Sequence, residues 1–119
     1  MHESGENYLE TILLLKGKNG FVRSIDIARE MGFSKPSVSR AVGLLKEAAY
    51  IEIFDDGQIE LTAKGKEKAE QIYERHKVLT QFFVEVAKVS LEIAEEDACR
   101  VEHVISDETF QGMKRFLEC

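Results

Sequence analysis

The sequence lacks most of what an enzyme, a membrane protein or a secreted scaffold needs. It has two cysteines, Cys99 and Cys119, too few for a disulfide framework, and Cys119 is the last residue. No window approaches the roughly 18 apolar residues of a membrane span; runs such as Ile12 to Leu15 are short. Residues 1–6 lack the basic start and apolar stretch of a signal peptide, so the expected compartment is the cytoplasm, with no membrane partner. A Gly-rich phosphate loop, a nucleophile with an evident base and a His-Glu-x-x-His pair are all missing, which argues against an enzyme and against a small-molecule substrate. There are no internal repeats or low-complexity tracts. An overall excess of positive charge is missing too, since the formal net charge is -6.

That last deficit is uneven. Residues 1–77 hold 12 Lys/Arg against 13 Asp/Glu, whereas residues 78–119 hold 4 against 9. Between Ser34 and Lys46 there are three basic side chains and no acid. A nucleic-acid reader needs a positive contact face and not a positive whole, because its affinity comes from neutralising phosphates there.

The 119 residues suffice for one small domain with a helical appendage. Asn7 to Lys16 reads as a helix with Tyr8, Leu9, Ile12, Leu13 and Leu15 as its apolar side, stopped over Gly17 to Gly20. Ser24 is placed to cap a short second helix that ends at Gly32. Ser34 caps a third, in whose first turn Pro36 costs little. Val38, Ala41, Val42 and Leu45 give that helix its core face. Tyr50 to Phe54 and Gln58 to Leu61 flank Asp55-Asp56-Gly57 as a β-hairpin. Thr62 then caps a long helix to about Ala87. Further helices are expected from Leu91 to about Ser106 and from Asp107 to Leu117. The fold class is therefore mostly α with a small β-hairpin wing. It divides into a winged helix-turn-helix DNA-binding domain over 1–62 and a linking helix with a helical segment over 63–119.

In such a module the third helix enters the major groove and must turn a polar, basic face outward. The DNA-contacting set is Arg23, Ser34, Lys35, Pro36, Ser37, Ser39, Arg40 and Lys46. The small hydroxyls suit close approach to phosphates and base edges, and Arg40 is the best placed to read guanine. Asp55 and Asp56 at the wing tip repel phosphates, so little binding is expected from it. A winged helix that binds only protein would keep its function without Arg40.

Cys99, Glu102 and His103 stand at i, i+3 and i+4 on one expected helical face, with Glu95 one turn earlier. Beside it runs the core stripe Ala94, Ala98, Val101 and Ile105. Thiolate, carboxylate and imidazole together are a transition-metal ligand set. Asn7 and Glu10 share a side of the first helix, and His76 lies in the apolar seam of Ile72, Leu79 and Phe83.

The blocks Asn7-Tyr8-Leu9-Glu10-Thr11-Ile12, Ser34 to Ser39, Leu61 to Lys66, Arg75-His76 and Ala98 to Glu108 resemble the diphtheria toxin repressor family of iron- and manganese-responsive repressors. The resemblance implies a winged-helix domain, a helical dimerisation domain and a metal site served by both. Carried onto this chain, its ligands are Glu10, His76, Cys99, Glu102 and His103. Asn7 stands where the family commonly has Asp or Met. Of the iron-type ancillary site, Glu95 replaces a His and Thr80 a Glu, and the SH3-like domain of those members has no counterpart here. Thiolate softness favours Fe(II), Co(II), Ni(II) or Zn(II) over Mn(II). Cys99 follows the iron-type pattern, making Fe(II) the first choice and Mn(II) the second, with Zn(II), Co(II) or Ni(II) as surrogates. The function implied is a metal-dependent repressor of metal-ion homeostasis that binds a palindromic operator as a homodimer. The metal would select a recognition-helix spacing of roughly 34 Å. The alternative is a metal-independent winged-helix regulator whose Cys/Glu/His face is structural and whose DNA binding ignores a chelator.

Overall fold

The computed structural model describes residues 3–119. Its elements run α1 (Glu3–Asn19), α2 (Ser24–Met31), α3 (Lys35–Glu47), β1 (Ile51–Ile53), β2 (Ile59–Leu61), α4 (Ala63–Glu85), α5 (Leu91–Val101) and α6 (Asp107–Glu118). Every expected element is present, in the expected order. None of the described helices is long and apolar enough to cross a membrane.

The differences lie at the ends. α1 is longer than its apolar stripe at both termini. Glu3 and Glu6 complement the positive end of its dipole, and Lys16 and Lys18 the negative end. The helix passes through Gly17 and stops only where Gly20 takes a left-handed φ of 82°. Ser24 is not the cap of α2. Arg23 holds that position, and its N–H donates to the Asp26 carboxylate three residues on, at 2.9 Å. An acid at the third position can satisfy the first free donor of a helix, so the cap shifts by one residue. The caps of α3 and α4 stand as expected. Ser34 Oγ accepts from Ser37 N at 3.3 Å, and Thr62 Oγ1 from Gly65 N at 3.1 Å. α5 is shorter than expected, ending at Val101 and not near Ser106. Ser106 instead caps α6, accepting from Thr109 N at 3.2 Å, so the chain must turn before it.

Contacts within the chain separate two units, Met1–Glu70 and Gln71–Cys119. The division falls inside α4, eight residues beyond the boundary expected at 62. Gly65 and Ala69 explain the shift. Ala69 belongs to the core of the first unit, with Leu9, Ile12, Val22, Ile27, Val38, Val42, Ile51 and Ile59. Gly65 lies so close to Tyr50 that any side chain there would overlap the Tyr50 carbonyl. The second unit packs Leu79, Ala98 and Phe110, joined by Val78, Phe83, Val101, Ile105 and Met113.

β1 and β2 pair antiparallel, Glu52 opposite Glu60. Their turn is held by Asp56, whose carboxylate accepts from Gln58 N at 3.0 Å and Gln58 Nε2 at 2.7 Å. These hydrogen bonds, the backbone one first, hold the Asp56 carboxyl below its ordinary value. A lowered folded-state pKa stabilises the turn at all pH above the unfolded value, and the effect is lost as pH falls through the lowered one. The expected result of an acid titration followed by NMR is an Asp56 midpoint below the usual aspartate range. In an Asp56→Asn variant the Gln58 amide should lose that acid titration. A normal Asp56 midpoint would show that the turn is not held this way.

Candidate metal centre and DNA-reading face

The candidate DNA-reading face is built by α3. Val38, Val42 and Leu45 are buried, which turns Ser34, Lys35, Pro36, Ser37, Ser39, Arg40 and Lys46 to the exposed side. Two of the hydroxyls are partly occupied: Ser34 Oγ caps the helix and also donates to Ser37 Oγ at 3.0 Å. Lys35, Ser39 and Arg40 project with no acid on the same helix surface until Glu47. Arg23 is placed differently. It is half-buried at the start of α2, its Nε donates to the Asp56 carbonyl at 3.2 Å, and its guanidinium lies 5.4 Å from the Phe21 ring centre. In this arrangement Arg23 braces the wing turn.

The metal-ligand types gather in the second unit around Glu102. Because α5 ends at Val101, Glu102 is the cap residue and His103 lies in the turn beyond. Glu102 still has helical backbone, its N–H donating to Ala98 O at 2.9 Å, so it follows Cys99 on the helix while His103 stands in the turn. Glu102 is 1% exposed, the only buried charged residue among those described. Its Oε2 lies 2.9 Å from Nδ1 of His76 on α4. Its Oε1 lies 3.3 Å from His103 Nε2, yet takes part in no hydrogen bond. Cys99 and Glu95 are exposed on α5. Asn7 and Glu10 are half-buried on α1, in the first unit.

A buried carboxylate oxygen without a hydrogen bond costs about 1–3 kcal/mol or more, and native proteins keep few such atoms without a use. Here it stands beside two imidazoles. Carboxylate oxygen and imidazole nitrogen are ligands that Mn, Fe and Zn all accept. The residues thus fit a divalent cation.

Sequence reasoning named Arg75 within the Arg75-His76 block but gave it no role. Its Nη1 donates to the carbonyl oxygens of Glu102 at 3.3 Å and Ile105 at 3.0 Å, and its Nη2 pairs with Asp107 at 3.4 Å. Two of these partners are backbone atoms, which carry no residue signature; only adjacency to His76 could have drawn attention to it.

Comparison with known proteins agrees with this layout. Residues 1–57 match the iron dependent repressor N-terminal DNA binding domain, and residues 62–119 the iron dependent repressor metal binding and dimerisation domain. An uncharacterised helix-turn-helix transcriptional regulator of Methanocaldococcus jannaschii is 33% identical over 119 residues, 99% of this chain and 95% of that protein. The transcriptional regulator MntR of Escherichia coli is 34% identical over 113 residues, 95% of this chain and 72% of that one. The solved structure of the manganese regulator SloR superposes with a TM-score of 0.85 at 26% identity. That match covers 96% of this chain but 53% of SloR, so this chain spans about half of its length. The chain belongs to the iron-dependent repressor family, that of the diphtheria toxin repressor, whose members are metal-dependent transcriptional regulators built from this DNA-binding domain and this metal-binding and dimerisation domain.

Proposed function

We propose that this protein is a cytoplasmic repressor that binds a palindromic operator as a homodimer, with a divalent cation as co-repressor in metal-ion homeostasis. The observation that carries the reading is Glu102, a buried carboxylate with one oxygen outside any hydrogen bond and an imidazole on either side. A metal-independent regulator would gain nothing from that arrangement and would bear its cost. Glu102, His76 and His103 would hold the ion. A bound divalent cation would supply positive charge to the buried carboxylate. The assignment of Glu10, and of Asn7 beside it, rests on the family resemblance; that of Cys99 rests on the resemblance and on its spacing from Glu102, and that of Glu95 on spacing alone.

Fe(II) is the first choice and Mn(II) the second. The case for Fe(II) depends on Cys99 acting as a thiolate ligand. Two observations favour Mn(II): the side chains around buried Glu102 offer nitrogen and oxygen, and SloR is a manganese regulator. Titration of the metal-free protein with Mn(II) and with anaerobic Fe(II), with and without operator DNA, decides both questions. Metal and DNA are expected to tighten each other's binding by the same factor, as linkage requires. Equal DNA affinity in chelator and in metal would overturn the reading. Cys99→Ser should weaken Fe(II) more than Mn(II) if the thiolate ligates, and Glu10→Ala should weaken both.

The DNA face carries its own expectation. Arg40→Ala should cost about 1–3 kcal/mol of operator affinity and relax base preference at one position. Lys35→Ala should weaken binding to all sequences alike and lower the salt dependence by about one counterion. Gel shifts at several salt concentrations separate the two. Unchanged binding by both variants would mean that α3 does not read DNA.

A further inference from the structure

Two consecutive residues of α4 converge on one residue of the turn after α5. His76 meets the carboxylate of Glu102, and Arg75 meets its backbone carbonyl. The last carbonyls of a helix have no partner within it, and Glu102 is the residue that closes α5. Arg75 supplies the missing donors, reaching Glu102 O and, at 3.0 Å, Ile105 O at the far side of the turn. Its other nitrogen reaches Asp107, the first residue of α6, and its guanidinium lies 5.3 Å from the Phe110 ring centre. Asp107 is 74% exposed, so that ion pair is worth little by itself. The pair of carbonyls on opposite sides of one turn is the part of the arrangement that fixes geometry.

We propose that Arg75 is a positioning residue of the metal centre. It pins the backbone of the 102–106 turn, and thereby the reach of the Glu102 carboxylate, from the same helix that carries His76. The inference rests on the metal-binding reading above. Ligand distances tolerate only about 0.2 Å, and a Glu side chain whose Cα has moved can restore them only by leaving its preferred rotamers, at about 0.5–1.5 kcal/mol. Holding the Cα from α4 keeps Glu102 in register with His76 regardless of motion elsewhere in the turn. Arginine is needed because its planar fork offers several donors in fixed directions; a lysine presents one point charge.

Three variants test this, with Mn(II) as the probe. Arg75→Met keeps the apolar stem over Phe110 and removes the donors. It should weaken Mn(II) binding by about 10-fold or more, the scale of groups that orient ligands. In the metal-free protein it should also speed amide exchange over residues 103–106. Arg75→Lys should fall between Arg75→Met and wild type in both readouts. Lys114→Met is the structural control. It removes the 2.7 Å ion pair with Glu74, which also joins α4 to α6, and should leave Mn(II) affinity within about twofold of wild type. Arg75→Met or Arg75→Lys binding Mn(II) as wild type does would overturn the inference. So would a loss of affinity in Lys114→Met equal to that in Arg75→Met, which would reduce Arg75 to general stability. Should Arg75→Met fail to fold, the Arg75→Lys comparison decides. Should wild type bind neither Mn(II) nor Fe(II), the metal reading itself fails, and unaltered exchange over 103–106 in Arg75→Met would separately refute the grip on the turn.

Discussion

Glu102→Gln is expected to abolish metal-dependent DNA binding while leaving the metal-free protein as stable as wild type, or more stable. The two halves of this result have one cause. Glu102 is 1% exposed, and its Oε1 takes part in no hydrogen bond. Desolvating a carboxylate is costly, and the His76 contact on Oε2 offsets only part of it. Glutamine has nearly the same shape and carries no charge, so it replaces the desolvation cost of an anion by the smaller one of an amide. It also removes the anionic ligand. Metal affinity should then fall by about 100-fold or more, at or beyond the upper end of what losing an orienting group does. Thermal unfolding in chelator and in Mn(II) reads both effects. At a metal concentration of 100 Kd, wild type should gain about 2.7 kcal/mol, and the variant almost nothing. A variant less stable than wild type in chelator, yet still stabilised by metal, would mean that Glu102 is an ordinary structural acid.

Gly65→Ala and Gly43→Ala are expected to act in opposite directions, although both glycines lie inside helices. By propensity alone each change should stabilise by about 1 kcal/mol. At Gly43 on α3 an added methyl meets nothing within 4 Å, so that gain should appear. At Gly65 the methyl would overlap the backbone carbonyl of Tyr50. That carbonyl is fixed, since it accepts from Thr62 N at 3.0 Å where the wing ends. Tyr50 is further held by Lys64, whose ammonium sits 4.2 Å from the ring centre and donates to Ala48 O at 2.9 Å. A clash of backbone against Cβ cannot be relieved by turning a side chain. The first turn of α4 would have to lift from the strand, exposing part of the core around Ala69 and Ile51. A net loss of about 2–3 kcal/mol is expected, as for overpacked cores, or roughly 15 °C in the midpoint of a unit this size. Thermal scans of the two variants beside wild type are sufficient. Stabilisation by Gly65→Ala would show that α4 is not seated on Tyr50.

These two cases mark how far the sequence could be read. The period of Val38, Val42 and Leu45 placed α3 and its outward face without further help, because burying one stripe of a helix leaves no choice about the other. The Asp55-Asp56-Gly57 turn and the Ser34 and Thr62 caps were legible for a similar reason: each acts over two or three residues of chain. The cap of α2 was misplaced by one residue, since a serine and an acid two residues later compete for the same role. The end of α5 was misplaced by several. Its apolar stripe continues through Val101 and Ile105, and nothing in that period reports that Ser106 begins a new helix.

The metal centre divides along the same line. Sequence by itself determined which residue types were available, Cys99, Glu102 and His103 near one end and His76 in an apolar seam, because ligand chemistry belongs to the side chain. Only tertiary structure decided that Glu102 is the buried member and that His76, 26 residues away, is its partner. It alone placed Arg75 on the carbonyls of Glu102 and Ile105. Burial and backbone hydrogen bonds depend on what packs against a residue from distant parts of the chain, and no local spacing encodes that.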